Sequence, residues 1–282
     1  MIDLHCHILP GVDDGPEFLD ESIEMCRIAV NDSISKLVCT PHHVVGKYTN
    51  TREKIIGCVE KLQASINSEH IPLILYPGCE IRLDLNLVED IKAGKLLTMN
   101  DSGRYITLEL PNEALPTNIE EIISSLIFAG IIPIVCHPER NHAIQNDPEI
   151  LYQLVQLGAL AQLTASSLTG RVGSRIEKFS ALLLEHKLAH MLVTDAHSSK
   201  QRRPTLSKGL KRLKTVVGEK AATDMIEAIP EKILNGEDIE VEFPIPLTKN
   251  SSGKIHAFIS KVLRTRPMNA WRNKLSTTNS HN

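Results

Sequence analysis

The sequence contains no apolar run long enough to cross a membrane. A spanning helix needs about 20 predominantly apolar residues in succession, and no stretch of this chain approaches that length. The first residues also lack the basic start, apolar core and cleavage site of a secretory leader, which would have to include His5 and His7. We therefore expect a cytoplasmic protein.

Paired cysteine motifs are absent as well. The six cysteines all lie in the first half of the chain and form no CxxC pair. This pattern is typical of reduced thiols in the cytosol rather than of a disulfide framework.

Features of nucleotide and nucleic-acid binding are scarce. The glycines form neither GxGxxG nor GxxxxGK[ST], so neither a dinucleotide site nor a P-loop is predicted. Aromatic residues make up only 4% of the chain and the net charge is −3. Wrapping a nucleic acid requires a basic groove and stacking rings, so we predict no nucleic-acid partner.

What the sequence does contain is an alternation of short β-branched runs with segments of helical period, repeated about seven times. The helical segments include Glu21 to Val30 and Glu120 to Phe128. The predicted strands are Ile2 to His7, Lys36 to Thr40, Leu73 to Tyr76, Tyr105 to Leu110, Ile132 to His137, Leu160 to Thr164 and His190 to Thr194. Such βαβ units predict an α/β fold with a parallel sheet, and seven of them favour a closed barrel over an open doubly wound sheet.

The composition changes after Pro246. No acidic residue follows Glu242, whereas seven cations do, among Ser, Asn and Thr. We predict a barrel over residues 1–246 and a basic, flexible tail over residues 247–282. Within the tail, apolar residues from Ile255 to Leu263 have helical spacing beside Lys and Arg, so two interpretations stand: a disordered extension with a marginal helix, or a segment that binds an anionic membrane surface.

Ligand-type side chains follow six of the seven predicted strands. In the opening MIDLHCHILPGVDDG, strand alternation points His5 and His7 to one side. Further strands lead into TPHH, GCEIR, LELP, CHPER and TDAH, which contain His42, Glu80, Glu109, His137, Asp195 and His197, and Asp14 lies in the first loop. The carboxyl ends of parallel strands meet at one face, so these groups are expected around one pocket.

Binding of metal ions explains why these nine ligand-type side chains gather at one end of the strands better than a chance arrangement does. Four carboxylates at one rim repel one another unless cations lie between them. Imidazole and carboxylate ligands without thiolates suit Zn²⁺, Mn²⁺ or Fe²⁺, and nine groups are too many for one ion, so two or three are predicted. Alternation predicts that Cys6, Cys79 and Cys136, each beside one of these groups, turn away into packing. Arg140 and Arg202 are candidates for two-pronged phosphate contacts.

Together these motifs resemble the PHP (polymerase and histidinol phosphatase) superfamily, and most closely its bacterial protein-tyrosine phosphatases of capsule and exopolysaccharide regulation. The resemblance runs from Met1 to about Pro246 and does not cover the tail. It implies a distorted, TIM-like seven-stranded (βα) barrel that holds three divalent metal ions, commonly manganese.

The resemblance also implies a role for each matching residue. The first ion would be held by His5, His7, Glu80 and Asp195, the second by Glu80, Glu109 and His137, and the third by Asp14, His42 and His197. Arg140 and Arg202 would bind phosphate, although the neighbouring Arg203 leaves the second assignment open. His42 or His197 could protonate the leaving group. The implied partner is a phosphotyrosyl protein, the C-terminal tail of a membrane-associated tyrosine kinase.

Three alternatives accompany this interpretation. Cysteine-based tyrosine phosphatases need an arginine six residues after the nucleophile, and no cysteine of this chain has one, which excludes that class. The same site could serve a small-molecule phosphatase, such as histidinol phosphatase, or a phosphodiesterase. A metal-loaded regulatory module without catalysis is the third alternative.

Overall fold

The structure is a computed structural model that describes residues 1–84 and 86–247. Nine strands and eleven α-helices lie within this part of the chain. The strands are β1 (Ile2–Cys6), β2 (Lys36–Cys39), β3 (His42–His43), β4 (Ile74–Pro77), β5 (Glu80–Arg82), β6 (Tyr105–Glu109), β7 (Ile132–Cys136), β8 (Leu160–Thr164) and β9 (Met191–Val193). The helices are α1 (Leu19–Asn31), α2 (Arg52–Ser68), α3 (Leu87–Lys92), α4 (Ile119–Phe128), α5 (His142–Asn146), α6 (Glu149–Gln156), α7 (Ala165–Leu168), α8 (Ser174–Glu185), α9 (Ser207–Val217), α10 (Glu219–Ile226) and α11 (Ala228–Leu234).

All strand pairs in the two sheets are parallel, which confirms the predicted α/β class. One sheet has the order β1-β2-β4 and the other the order β3-β5-β6-β7-β8-β9. Each of the seven predicted strands overlaps an observed one, but β3 and β5 were not predicted as strands. They follow β2 and β4 after breaks of two residues, at Thr40–Pro41 and Gly78–Cys79.

Hydrogen bonds continue beyond the two sheets. The amide of Glu80 donates to the carbonyl of Pro41 across the break, at 3.0 Å. The end of β1 pairs with the residues after β9, where the amide of His7 donates to the carbonyl of Ala196 and that of Asp195 to the carbonyl of His5.

The helices bury the apolar faces that their periodicity predicts. The predicted helices at Glu21 and Glu120 lie within α1 and α4, and Ile23 and Cys26 of α1 are buried. Thr51 begins α2 by accepting a hydrogen bond from the amide of Lys54, which satisfies one of the free donors of the first turn.

A cluster of buried apolar side chains lies between the strands below their carboxyl ends. It includes Ile2, Leu4, Val38, Met99, Tyr105, Ile134, Leu160, Met191, Val193, Ile233 and Leu234. This core leaves the carboxyl ends of the strands to polar side chains.

In the described residues, the helices are too short or too polar to cross a bilayer. The predicted tail helix from Ile255 to Leu263 lies outside the described residues. It stays a prediction, as does its contact with a membrane.

Candidate metal centre

His5 and His7 converge as strand alternation predicts. Their Nε2 atoms lie 3.1 Å apart and both side chains are fully buried. The register of β1 is irregular between Asp3 and Cys6, and the carboxylate of Asp3 accepts hydrogen bonds from the amides of His5 and Thr194. Asp3 thereby fixes the backbone that carries the two imidazoles.

Glu80, the first residue of β5, lies among four imidazoles with 1% of its side chain exposed. Its Oε1 is 3.0 Å from Nε2 of His137, and its Oε2 is 2.9 Å from Nδ1 of His42. The Nε2 atoms of His7 and His5 lie 3.2 and 3.4 Å from Oε2. Burial alone would raise the pKa of Glu80, but His5 and hydrogen bonds from His137 and His42 hold it well below the usual range. The carboxylate is therefore charged.

A second group forms at the more exposed side of the centre. Oδ1 of Asp14 lies 3.4 Å from Nε2 of His42 and 3.5 Å from Nε2 of His197. The hydrogen bond with His197 lowers the pKa of Asp14 despite the opposing effect of burial. The rings of His7 and His197 are 3.8 Å apart, so this group is continuous with the first.

Asp195 connects the imidazoles to two arginines. Its Oδ1 is 3.7 Å from Nε2 of His5 and of His7. Its Oδ2 is 2.7 Å from Nη1 of Arg140 and 2.6 Å from Nη2 of Arg202. Burial raises the pKa of this carboxyl, but the imidazoles and guanidinium groups outweigh it and keep Asp195 ionised.

Glu109 ends β6 at the rim of the centre. Its Oε1 lies 3.0 Å from Nη1 of Arg82, whereas its Oε2 is buried and has no hydrogen-bond partner. Glu109 also shares a group of close donor atoms with His42 and Glu80.

The structure brings all nine predicted ligands together. Four groups have donor atoms within 4.8 Å of one another: His7, Asp14, His42 and His197; His5, His7 and Glu80; Glu80, Cys136 and His137; and His42, Glu80 and Glu109. Asp195 adjoins the first two groups. The buried Oε2 of Glu109 makes no hydrogen bond, and Oε2 of Glu80 lies against the imidazoles of His42, His7 and His5. Buried polar atoms are costly without a partner, so this donor set fits divalent cations.

Cys136 departs from the prediction that it turns away from the centre. Its Sγ lies within 4.8 Å of donor atoms of Glu80 and His137, and it accepts a hydrogen bond from Nε2 of Gln162 at 3.5 Å. The cause is His137, whose left-handed backbone (φ +32°) breaks the alternation, so that two successive side chains reach the same side. Cys6 and Cys79 are buried and belong to none of the four groups.

Two supporting side chains were not assigned these roles from the sequence. Oδ2 of Asp13 lies 2.7 Å from Nδ1 of His7. Burial alone would lower the pKa of His7, but the carboxylates of Asp13 and Glu80 outweigh burial and raise this pKa to about 10. Nε2 of Gln162 lies 2.5 Å from Nδ1 of His5. The sequence does hint at the contact between Gln162 and His5, because a polar glutamine in the middle of an apolar strand needs a hydrogen-bond partner when it is buried.

The guanidinium groups of Arg140 and Arg202 border a cavity of about 730 Å³ next to Asp195. Thr164 and Ser166 accept hydrogen bonds from Nη2 of Arg140, and Ser167 accepts one from Nε. Within residues 1–84 and 86–247, the guanidinium of Arg202 is held through Nη2, which also donates to the carbonyl of Asp195 at 3.0 Å. Its side chain is 43% exposed.

Comparison with known proteins identifies the family. The model of the family described as "Capsular polysaccharide synthesis, CpsB/CapC" matches residues 1–235. The chain belongs to this CpsB/CapC family. The tyrosine-protein phosphatase YwqE of Bacillus subtilis is 41% identical over 202 residues, which are 72% of this chain and 79% of the relative. CpsB of Streptococcus pneumoniae, also named a tyrosine-protein phosphatase, is 26% identical over 239 residues, 83% of this chain and 98% of the relative.

A solved structure agrees with this membership. A structure described under "YwqE from Bacillus subtilis and CpsB from Streptococcus pneumoniae, unique metal-dependent tyrosine phosphatases" superposes with a TM-score of 0.85 at 36% identity, covering 88% of this CpsB/CapC chain and 100% of the other. Histidinol phosphate phosphatase from Lactococcus lactis, solved with zinc, L-histidinol and phosphate, has a TM-score of 0.52 at 15% identity, covering 78% and 94%. The second likeness is one of fold.

Proposed function

We propose that this chain is a metal-dependent protein-tyrosine phosphatase that acts in the regulation of capsular or exopolysaccharide synthesis. The observation that carries the proposal is the gathering of five imidazoles and four carboxylates at the carboxyl ends of the strands, in a chain whose relatives are named tyrosine-protein phosphatases. The arginines beside this centre supply the positive charge that a phosphate ester requires.

The proposed ligand sets are those that the resemblance implies, and the close contacts support them in part. His5, His7 and Glu80 lie together, as do Asp14, His42 and His197, whereas Glu109 groups with His42 and Glu80. Glu80 would bridge two sites, with His5, His7 and Asp195 on one side and Glu109 and His137 on the other. Asp14, His42 and His197 form the third site. The 3.0 Å approach of His137 to Oε1 of Glu80, opposite the contacts of His5 and His7 with Oε2, supports the bridging role. We propose manganese as the metal, with zinc and iron as alternatives.

Divalent ions in these sites would supply an activated water and withdraw charge from the phosphoryl oxygens. Side chains of the protein position the metal-binding imidazoles and bind the phosphate. Asp13 and Gln162 hold the imidazoles of His7 and His5 in position. Arg140, fixed by hydroxyl groups, and Arg202, partly open to solvent, bind the non-bridging oxygens of the phosphate.

Proton delivery to the leaving phenolate needs little help, because tyrosine is a fair leaving group. His42 and His197 are the candidates for this step. The side chain of His42 is 14% exposed, and its Nε2 faces Asp14 at the open side of the centre.

The finer fold prediction, a distorted seven-stranded barrel, belongs to the same proposal. Counting β2 with β3 and β4 with β5 as single interrupted strands reduces nine strands to seven. The parallel bridge between Cys6 and Ala196 supports closure, because it joins β1 to the residues that follow β9.

The proposed partner is a phosphotyrosyl protein, the C-terminal tail of a membrane-associated tyrosine kinase, and the proposed location is the cytoplasm. All six cysteines are free, which supports a reducing compartment. Recruitment to the inner membrane by the basic tail remains a prediction.

The experiment compares turnover by the manganese-loaded full chain on a phosphotyrosyl peptide, histidinol phosphate and a dinucleotide diester. We expect kcat/KM to be highest on the peptide. A preference for histidinol phosphate or the diester would replace the proposed function with a small-molecule phosphatase or a phosphodiesterase. Turnover of none of them would favour a regulatory module.

A further inference from the structure

Three cations line the cavity beside Asp195 but do not contact that residue. Arg171, Arg203 and Lys208 are exposed, and within residues 1–84 and 86–247 none of their side chains makes an ion pair or a hydrogen bond. Arg140 and Arg202, by contrast, both pair with Asp195. The cavity therefore has an inner end that faces the catalytic centre and an outer wall of unneutralised positive charge.

The cavity continues outward along this wall. A second cavity of about 330 Å³ shares Arg171, Arg203, Thr205 and Lys208 with the first and reaches Asn31 at the end of α1. The two cavities together form a groove that leads away from Asp195, which we call the basic groove. A single phosphate would occupy only its inner end, so a ligand that also reached the outer cations would have to be larger.

The one carboxylate of the outer cavity is already engaged. Oδ2 of Asp32 accepts hydrogen bonds from the amides of Leu206 and Ser207, and Oδ1 accepts one from the hydroxyl of Ser207. These contacts fix the start of α9 and so position Lys208 in the wall of the groove. Asp32 therefore stabilises the start of α9 and does not pair with Arg171, Arg203 or Lys208.

We propose that the basic groove binds an acidic segment of the substrate polypeptide, next to the phosphotyrosine in sequence. Like charges on one wall repel one another, and carboxylates between them would remove this repulsion and attract the substrate. Thr169, Thr205 and Gln201 line the same space, and their polar side chains can hydrogen bond to a peptide backbone. This inference rests on the proposed function and adds the class of sequence that the site prefers.

The test uses two phosphotyrosyl peptides that differ only in flanking residues, Asp and Glu in one and Asn and Gln in the other. The readout is the ratio of kcat/KM for the acidic peptide to that for the neutral peptide, measured with the manganese-loaded full chain. Three exposed ion pairs of ordinary strength predict a ratio of about ten for the wild type. Arg171→Glu and Lys208→Glu should each lower this ratio at least about threefold.

Lys61→Glu is the matched control. Lys61 is an exposed lysine of α2 that lines neither cavity, so its charge reversal should leave the ratio and the turnover unchanged. Salt provides a measurement that needs no variant. The wild-type ratio should fall towards one as ionic strength rises from about 0.05 to 0.5 M, because exposed charges are screened.

A salt-independent ratio near one, with both peptides hydrolysed, would overturn the basic groove and leave the phosphatase function intact. An equal loss of the ratio in Lys61→Glu would also overturn it, because the effect would then come from net charge. Failure to hydrolyse either peptide while histidinol phosphate is turned over would refute the proposed function, and this inference with it.

Discussion

Oδ2 of Asp13 lies 2.7 Å from Nδ1 of His7, on the side of the ring opposite the metal centre. The same carboxylate accepts hydrogen bonds from the amides of Gly15 and His42, so one buried side chain joins the loop after β1, the start of β3 and the imidazole of His7. A carboxylate behind a metal-binding imidazole fixes the ring and increases its basicity.

Replacing this carboxylate should weaken metal binding. In Asp13→Asn we expect manganese affinity to fall by about 10 to 100-fold, because His7 loses its orienting charge. Calorimetric titration of the chelated protein measures the change. Asp20→Asn, an exposed carboxylate of α1, is the control and should bind manganese like the wild type. Equal affinity in Asp13→Asn would show that His7 does not depend on Asp13.

The arginines beside Asp195 should differ in importance. Arg202 lies 2.6 Å from Asp195, whereas Arg203 makes no such contact, so Arg202→Ala should reduce kcat/KM on a small aryl phosphate more than Arg203→Ala. Equal and negligible effects would mean that these arginines do not bind the phosphate.

Arg140→Lys tests the shape of the cation. Lysine keeps the charge but loses the planar fork that contacts Asp195, Thr164 and Ser166 together. We expect KM for phosphate esters to rise while metal content, measured by mass spectrometry, stays the same. Loss of metal in this variant would give Arg140 a structural role at Asp195 instead.

The cysteines should react according to their burial. Five are buried, including Cys136 beside the centre, and only Cys58 is partly exposed. Brief treatment with iodoacetamide should therefore modify Cys58 first and leave turnover intact, as peptide mass mapping would show. Cys136→Ser should likewise retain most activity with its metals bound. Early modification of Cys136 with loss of activity would contradict this burial pattern.

His190 should make the fold sensitive to acid. Burial lowers its pKa from 6.5 to about 4, and its Nδ1 accepts a hydrogen bond from the amide of Ala161. The unfolded chain takes up a proton below pH 6.5 and the folded chain only below about 4, so stability is lost as pH falls between these values, by about 3 kcal/mol.

Urea denaturation at pH 7.0, 5.5 and 4.5 measures this loss. His190→Asn, whose side-chain oxygen can accept the same amide, should show a smaller decline with falling pH than the wild type. His70→Asn, at an exposed histidine, is the control and should follow the wild type. Equal declines in all three proteins would mean that His190 does not contribute.

Much of this architecture could be predicted from the sequence because the strands are short, apolar and separated by periodic helices. β3 and β5 could not, since they have two and three residues and follow interruptions that contain Pro41 and Gly78. At Gly78 an added Cβ would lie 2.5 Å from Cγ1 of Val38. The glycine therefore permits a close approach of two strands, which no local pattern reveals.

The candidate ligands could be predicted because eight of them stand at or just past predicted strand ends in recognisable motifs, and Asp14 lies in the loop after the first strand. The orientation of Cys136 could not, because alternation holds only while the backbone remains extended, and His137 leaves that region. Asp195 adopts a similar left-handed backbone (φ +50°) two residues after β9. The contacts of Asp13 and Gln162 depend on how distant segments meet, which spacing along the chain does not encode.

The most direct test of the central claim is the turnover of a phosphotyrosyl peptide by the full chain before chelation, after removal of metal by a chelator, and after addition of manganese. The account predicts that chelation abolishes turnover and that manganese restores it, with Glu80→Ala and His137→Ala lower by orders of magnitude even with manganese, because they empty or distort the centre. Full activity in protein shown by mass spectrometry to contain no metal would contradict it.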